Sequence, residues 1–176
     1  YPVHENIIVP AGSVIADHPF PAWIHAPISV GLENRKRNLR IIGRSLREAP
    51  MNFFYLHQEH YCAGNRSAAE GVGDLVVQFP GLDDAFKVEV WLNLARITTD
   101  RDKAQESAMS AHAKLPWCRE PIAALVMLSF ERNDAKRALH WAKQLVATPE
   151  PTGNRRPWTH EPKWYGFAGD DMLARA

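Results

Sequence analysis

The chain has 176 residues, 45% hydrophobic and 23% charged, with a formal net charge of +1. That length suits one domain, or a domain with a short appendage, and the apolar fraction is enough for a core. The near-neutral balance makes no demand for nucleic acid or an anionic membrane, no apolar run approaches the ~20 residues of a membrane span, and no signal peptide is expected. Cys62 and Cys118 are far apart and form neither a metal spacing nor a disulfide framework, which suits a reducing, cytoplasmic setting. The first residue is Tyr rather than Met, so the chain is expected to have been trimmed or excised from something larger.

Residues 1–32 read differently from the rest. Pro2, Pro10, Pro19, Pro21 and Pro27 forbid a long helix, while Asn6 to Val9 and Trp23 to His25 have the character of short strands. From Glu33 the pattern turns helical. Leu39, Ile42 and Leu46 form one apolar stripe of a first helix, Glu33 to Glu48, closed by Pro50; Arg37, Arg40, Arg44 and Arg47 form a basic stripe beside it.

Paired helices follow. Asn52 to Ala63 ends at Gly64-Asn65, and Arg66 to Phe79 ends at Pro80-Gly81. Asp84 to Ile97 precedes Asp100 to Leu115, which Pro116 closes. Pro121 to Glu131 breaks at Arg132-Asn133, and Asp134 to Ala147 stops before Pro149 and Pro151. Pro121 suits a first turn, where its missing N–H is no loss. After a polar loop around Gly153 to Pro157, Gly169 to Ala176 reads as a short closing helix.

An internal repeat organises these pairs. A small residue early in each second helix recurs as Ala69, Ala104 and Ala138, at intervals of 35 and 34 residues. Ahead of Ala69 stand Phe53, Leu56, His60 and Gly64; ahead of Ala138, at the same offsets, stand Ile122, Leu125, Ser129 and Asn133. Gly and Asn both tolerate a left-handed turn. The middle unit supplies Trp91 and Leu94 but has Thr98-Thr99 at the turn. Large, Leu, aromatic, Gly and Ala positions in this order resemble the tetratricopeptide repeat, which implies a mainly α-helical solenoid over 33–147, after an extended or β segment at 1–32 and before a Pro-rich loop and capping helix at 148–176.

Further segments carry a second resemblance. Tyr-Pro-Val-His-Glu at 1–5, Trp-Ile-His-Ala-Pro at 23–27, Asn34 to Ile42 with its Arg-Asn-Leu core, Glu48-Ala49-Pro50, and Phe54 to Tyr61 follow in an order similar to the C-terminal region of inverting family 2 glycosyltransferases that carry such repeats. The closing Trp164-Tyr165-Gly166-Phe167 and Asp170 to Ala174 resemble that family's end. The resemblance spans essentially the whole chain; each motif is weak alone, and their succession is the signal.

It implies a GT-A catalytic domain N-terminal to this region, a nucleotide-sugar donor, a divalent ion (Mn or Mg) acting as Lewis acid on the diphosphate, and an acceptor (protein, glycan or other) in the repeat groove. His4 would be the metal ligand and Glu5 beside it the catalytic-side residue, orienting His4 or touching the acceptor. His25 would serve cofactor binding or line the cleft, with packing near Trp23 the competing reading. The nucleotide-binding half, with its strand-end Asp-x-Asp and catalytic base, is absent, so this chain alone is expected to be inactive. Asp83-Asp84 and Asp170-Asp171 stand at helix starts. The second class of function is a non-catalytic module binding protein or peptide in the groove.

Other residues have simpler readings. His57 and His60 share a helix face and suggest a groove contact, packing, or a zinc pair that lacks a recognisable third ligand. The Arg37–Arg47 stripe, Lys136 and Arg137 read as solvated faces or phosphate grips. Trp91, Trp141, Trp158 and Trp164 read as core or as staples for the last helix, with sugar stacking the alternative for the last two.

Overall fold

The structure is a computed structural model and describes residues 51–151 and 162–176, with Arg40 alone before them. The extended segment 1–32, most of the first helix, and the loop at 153–157 lie outside the described residues. Among the described residues the protein is mainly helical, with no strand.

Six helices form three successive antiparallel hairpins: α1 Met51–Cys62 with α2 Arg66–Gln78, α3 Asp84–Ile97 with α4 Arg101–Lys114, and α5 Arg119–Glu131 with α6 Ala135–Ala147. Each hairpin packs on the next. A 3₁₀ turn, Pro162–Tyr165, and a short helix α7, Phe167–Arg175, lie against the third hairpin. Two starts differ from expectation. The fifth helix begins at Arg119 rather than Pro121, because Pro121 needs only a first-turn position, not the first residue. The last begins at Phe167 rather than Gly169, since the turn at Gly166 already supplies its first acceptor, for the Gly169 N–H at 3.0 Å.

The repeat register is visible in the packing. Ala69, Ala104 and Ala138 are all fully buried, and each donates its N–H at 2.9 Å to a residue four earlier: Asn65, Asp100 and Asp134. Those same side chains cap their helices, accepting from Ala68, from Asp102 and Lys103, and from Arg137. The next two inward positions are Gly73, Ala108, Ala142 and then Val76, Ala111, Leu145, again all buried. Small residues let the two helices of a hairpin approach closely; larger ones would force them apart.

The turns at 63–65 and 132–134 are built alike. Gly64 has φ +72° and Asn133 φ +55°. Gly64 and Asn65 donate to Tyr61 and His60, while Asn133 and Asp134 donate to Phe130 and Ser129. This pair of bonds satisfies carbonyls that the helix end leaves open. The middle turn, 98–100, is equally short but has no positive φ. Thr98 is extended and its hydroxyl donates to Glu70 at 2.9 Å, so a side chain fixes what a left-handed residue fixes elsewhere.

The core runs along the joints between hairpins. Phe54, Val76, Leu82, Val90 and Leu94 fill the first; Ala95, Ala104, Ala108, Leu125 and Leu128 the second. Trp91 and Trp141 are half-buried at cluster edges, and Trp164 is buried against Ile122, Val126 and Leu145, where it staples the C-terminal segment to the third hairpin. Trp158 lies outside the described residues. Ion pairs bridge the outer edges: Lys103 with Glu70 and Asp74, both at 2.8 Å, Arg132 with Asp102 at 2.7 Å, and Arg101 with Glu131. Burial works against the Lys103 charge, but the two carboxylates outweigh it and raise its pKa; Lys103 in turn, with Thr98, lowers that of Glu70.

Candidate binding groove

The first helix of each hairpin presents residues seven and eight before the small Ala: Tyr61 and Cys62 on α1, Arg96 and Ile97 on α3, Phe130 and Glu131 on α5. Two cavities open along these helices. One, of about 480 Å³, lies at the 63–65 turn between Tyr61, Cys62, Arg66, Arg96 and Ile97. The other, of about 270 Å³, lies between Arg96, Arg101, Glu120, Met127, Glu131 and Trp164. Arg96 lines both. The second has an apolar floor from Ala124 and Leu128, and Met127 stands out at 47% exposure. Its charges are matched: Arg101 pairs with Glu131, and the buried Glu120 accepts the Tyr165 hydroxyl at 3.2 Å.

Arg119 holds the segment that brings Trp164 to that second cavity. Its guanidinium donates to the carbonyls of Thr148, Trp164 and Val146, and its backbone N–H donates to the Tyr165 hydroxyl at 3.0 Å. The guanidinium also lies 4.9 Å from the centre of the Tyr165 ring. It thereby satisfies carbonyls at the end of α6 and fixes the segment that carries Trp164. Burial foremost, with the charge of Glu120, raises the Tyr165 pKa, keeping the hydroxyl protonated as a donor to Glu120. Burial, with Glu120, pushes the Cys118 thiol up to about 12, so it behaves as a small apolar side chain.

Of the readings open for His57, packing is the one the structure shows. The side chain is fully buried, with Nδ1–H donating to the Ala69 carbonyl at 2.9 Å and Nε2 accepting from Asn93 Nδ2 at 3.3 Å. Both ring nitrogens are engaged by protein groups, which leaves no lone pair for zinc. Burial, more than the opposing hydrogen bond to Ala69, lowers its pKa, with a further lowering from His60. Its neutral form joins the first hairpin to the second. Nearby, Gln58 donates to Glu89 at 2.8 Å; burial raises the Glu89 pKa, while Gln58 and Arg96 pull it back.

His4, Glu5 and His25, the residues expected to hold metal, acceptor and nucleotide, lie outside the described residues, as do Arg37, Arg44 and Arg47. Arg40 is helical and exposed. Lys136 and Arg137 are exposed on α6, Arg137 pairing with Asp134 at 3.3 Å, which fits a solvated face. The letters Asp-x-Asp do occur once, at Asp100-Arg101-Asp102, but at a helix start: Asp100 caps α4 and Asp102 pairs with Arg132. Among the described residues no group of three His, Cys, Asp or Glu is placed to hold a metal ion, and neither Cys62 nor Cys118 forms a disulfide. Nor is any described helix long and apolar enough to cross a membrane.

No protein-family model matches the chain, and no curated protein or solved structure matches it.

Proposed function

We propose that the three hairpins are a tetratricopeptide-type array forming the C-terminal portion of a metal-dependent, cytoplasmic family 2 glycosyltransferase. Its role is to bind the acceptor along the first helices while a separate GT-A domain activates the nucleotide-sugar donor. The observation that supports the repeat type is the common burial of Ala69, Ala104 and Ala138, each four residues after a side-chain cap, with left-handed residues at Gly64 and Asn133. Support for the enzyme is the succession of Val-His-Glu, Trp-Ile-His and Arg-Asn-Leu segments ahead of the array.

In this reading the described residues carry no bond-making chemistry. They orient: Arg119 and Trp164 fix one end of the groove, and His57 fixes the other to the second hairpin. In the complete enzyme His4 would hold the divalent ion, which supplies Lewis-acid stabilisation of the departing diphosphate.

The test begins with the reading frame upstream of Tyr1. A strand-rich domain of about 200 residues with a strand-end Asp-x-Asp is expected. The joined protein should then release nucleoside diphosphate from a nucleotide-sugar in the presence of manganese, and His4→Ala should raise the manganese concentration required or abolish the release. An upstream sequence without such a domain sinks the enzymatic reading. The groove favours the second reading in that case: a non-catalytic module that binds a peptide.

A further inference from the structure

We propose that the flank of α1 turned away from the second hairpin seats this chain's own segment 33–48, packed there as the second helix of a preceding half-repeat. The repeat geometry defines that flank. Each later first helix lies against the second helix before it, α3 against α2 and α5 against α4. The residues that make this contact stand thirteen and ten positions before the small Ala. On α5 they are Leu125 and Leu128, clustered with Ala104 and Ala108 of α4; on α3 they are Trp91 and Leu94, the latter clustered with Val76 of α2. On α1 the same positions are Leu56 and Glu59, with Tyr55 where α5 has Ala124.

α1 is buried as if it too had such a neighbour. None of Met51 to Tyr61 is exposed, and Asn52, in its first turn, is buried. At the far end of the array, α6 exposes Lys136, Arg137, Leu139, His140 and Lys143. The described helices that pack on α1 are α2 and α3. By the repeat geometry both lie on other sides of it, so the half-burial of Tyr55, Leu56 and Glu59 calls for a further element. The course of the chain names that element. Only Ala49 and Pro50 stand between residue 48 and Met51, and so short a connection keeps consecutive helices adjacent. The stripe of Leu39, Ile42 and Leu46 in turn needs an apolar partner. Arg40 is helical and exposed, which fixes the outer side of such a helix. Arg37, Arg44 and Arg47 then follow Arg40 outward, while Ile42 and Leu46 fall on the opposite side with Leu39 at its border. Whatever stands before residue 33 would thus join the array without a spacer. This packing depends on the array reading and not on sugar transfer.

The full 176-residue chain provides the test. Ile42→Asp with Leu46→Asp puts charge into the contact, and Arg40→Asp with Arg44→Asp puts it on the outer side. Hydrogen exchange with mass spectrometry reads each helix separately. In the inward variant the α1 amides should exchange about tenfold faster or more, with α5 and α6 unchanged. The outward variant should leave α1 within about twofold of the parent chain. Proximity is read independently, without the aspartates, from Ile42→Cys and Leu56→Cys in a Cys62→Ser chain treated with a short flexible bismaleimide. Cys118 is buried and stays unlabelled. A cross-link within one chain is the expected result. Cross-links between chains would assign the flank to a second copy, and labelling without any cross-link would assign it to another segment or partner. Either outcome overturns the proposal, as does unaltered α1 exchange in the inward variant or an equal loss in both variants. If the inward variant loses protection in every helix, the cross-link decides. Sugar transfer plays no part in these assays, so the enzymatic reading stands or falls separately.

Discussion

The first and third hairpins have the same small-residue positions and the same turn, yet they are held in place by opposite means. In the third, Val126 and Ala142 meet across the hairpin in an apolar core, and a C-terminal segment covers it, clasped by Arg119. In the first, the equivalent positions are His57 and Gly73. A Cβ on Gly73 would lie 3.0 Å from His57 Nδ1 and 2.9 Å from Leu94 Cδ2, so the missing side chain makes room for the imidazole. The lesson is that a repeat conserves volume across a helix pair rather than residue type: Val with Ala, or His with Gly. The His then adds a directional bond to Asn93 of the next hairpin that Val cannot make.

The largest effect is expected at the clasp. Arg119→Ala leaves the carbonyls of Val146, Thr148 and Trp164 without their donor and removes the bar holding the last segment. The loss should be roughly 3 kcal/mol in urea unfolding. Hydrogen exchange should show α7 losing protection while α1 and α2 keep theirs. Equal loss across all hairpins would mean that the array unfolds as one unit and the clasp has no local role.

Gly73→Ala tests the volume exchange directly. The clash with His57 and Leu94 should cost about 2 kcal/mol, offset by roughly 1 kcal/mol of helix propensity. The pair His57→Val with Gly73→Ala copies the third hairpin. It should be less destabilising than the sum of the single changes, with a coupling of about 1 kcal/mol in a double-mutant cycle. Strict additivity would refute the exchange.

A third measurement uses pH. Burial depresses the His57 pKa below its ordinary 6.5, so below that value the unfolded chain binds the proton more readily than the folded one. Stability is then complete above about pH 6.5 and falls as pH drops, by at most about 1.4 kcal/mol per pH unit for this group. His112, also depressed by burial, contributes with the same sign. His57→Gln should flatten its share of the slope and leave that of His112. An unchanged slope would place His57 in a solvated setting.

How much of this was legible in the sequence follows from what is local. The described hairpins were readable, with ends within a residue or two, because breakers and caps act on their own neighbours: Gly64, Pro80, Asp100, Pro116 and Asn133. The alanine register was readable because a period survives divergence of the residues between. The roles of His57 and Arg119 were not, since they depend on partners at Asn93 and Trp164 that no spacing rule connects. Nor were the cavities, although counting seven and eight residues back from each small Ala leads to Tyr61, Cys62, Arg96, Ile97 and Glu131. His57 was assigned by helix face alone, and a polar residue on an apolar face is decided by whether its hydrogen bonds close.

The smallest effect sharpens what the two turns share. At Gly64 nothing lies within 4 Å of the place a Cβ would take, so any penalty there comes from φ +72° alone. Gly64→Ala should therefore cost about 1 kcal/mol, the strain of a left-handed alanine. Gly64→Asn, which copies the third hairpin, should cost only a fraction of that, because Asn offsets the strain with local hydrogen bonds. Asn133→Gly should be nearly neutral, and Asn133→Ala should repeat the loss seen at Gly64. Thermal melts of these four variants give the ordering. If alanine is as good as asparagine at either turn, the left-handed residue is not what ends the first helix. The bonds from residues 64 and 65 to Tyr61 and His60 would then have to hold the turn by themselves.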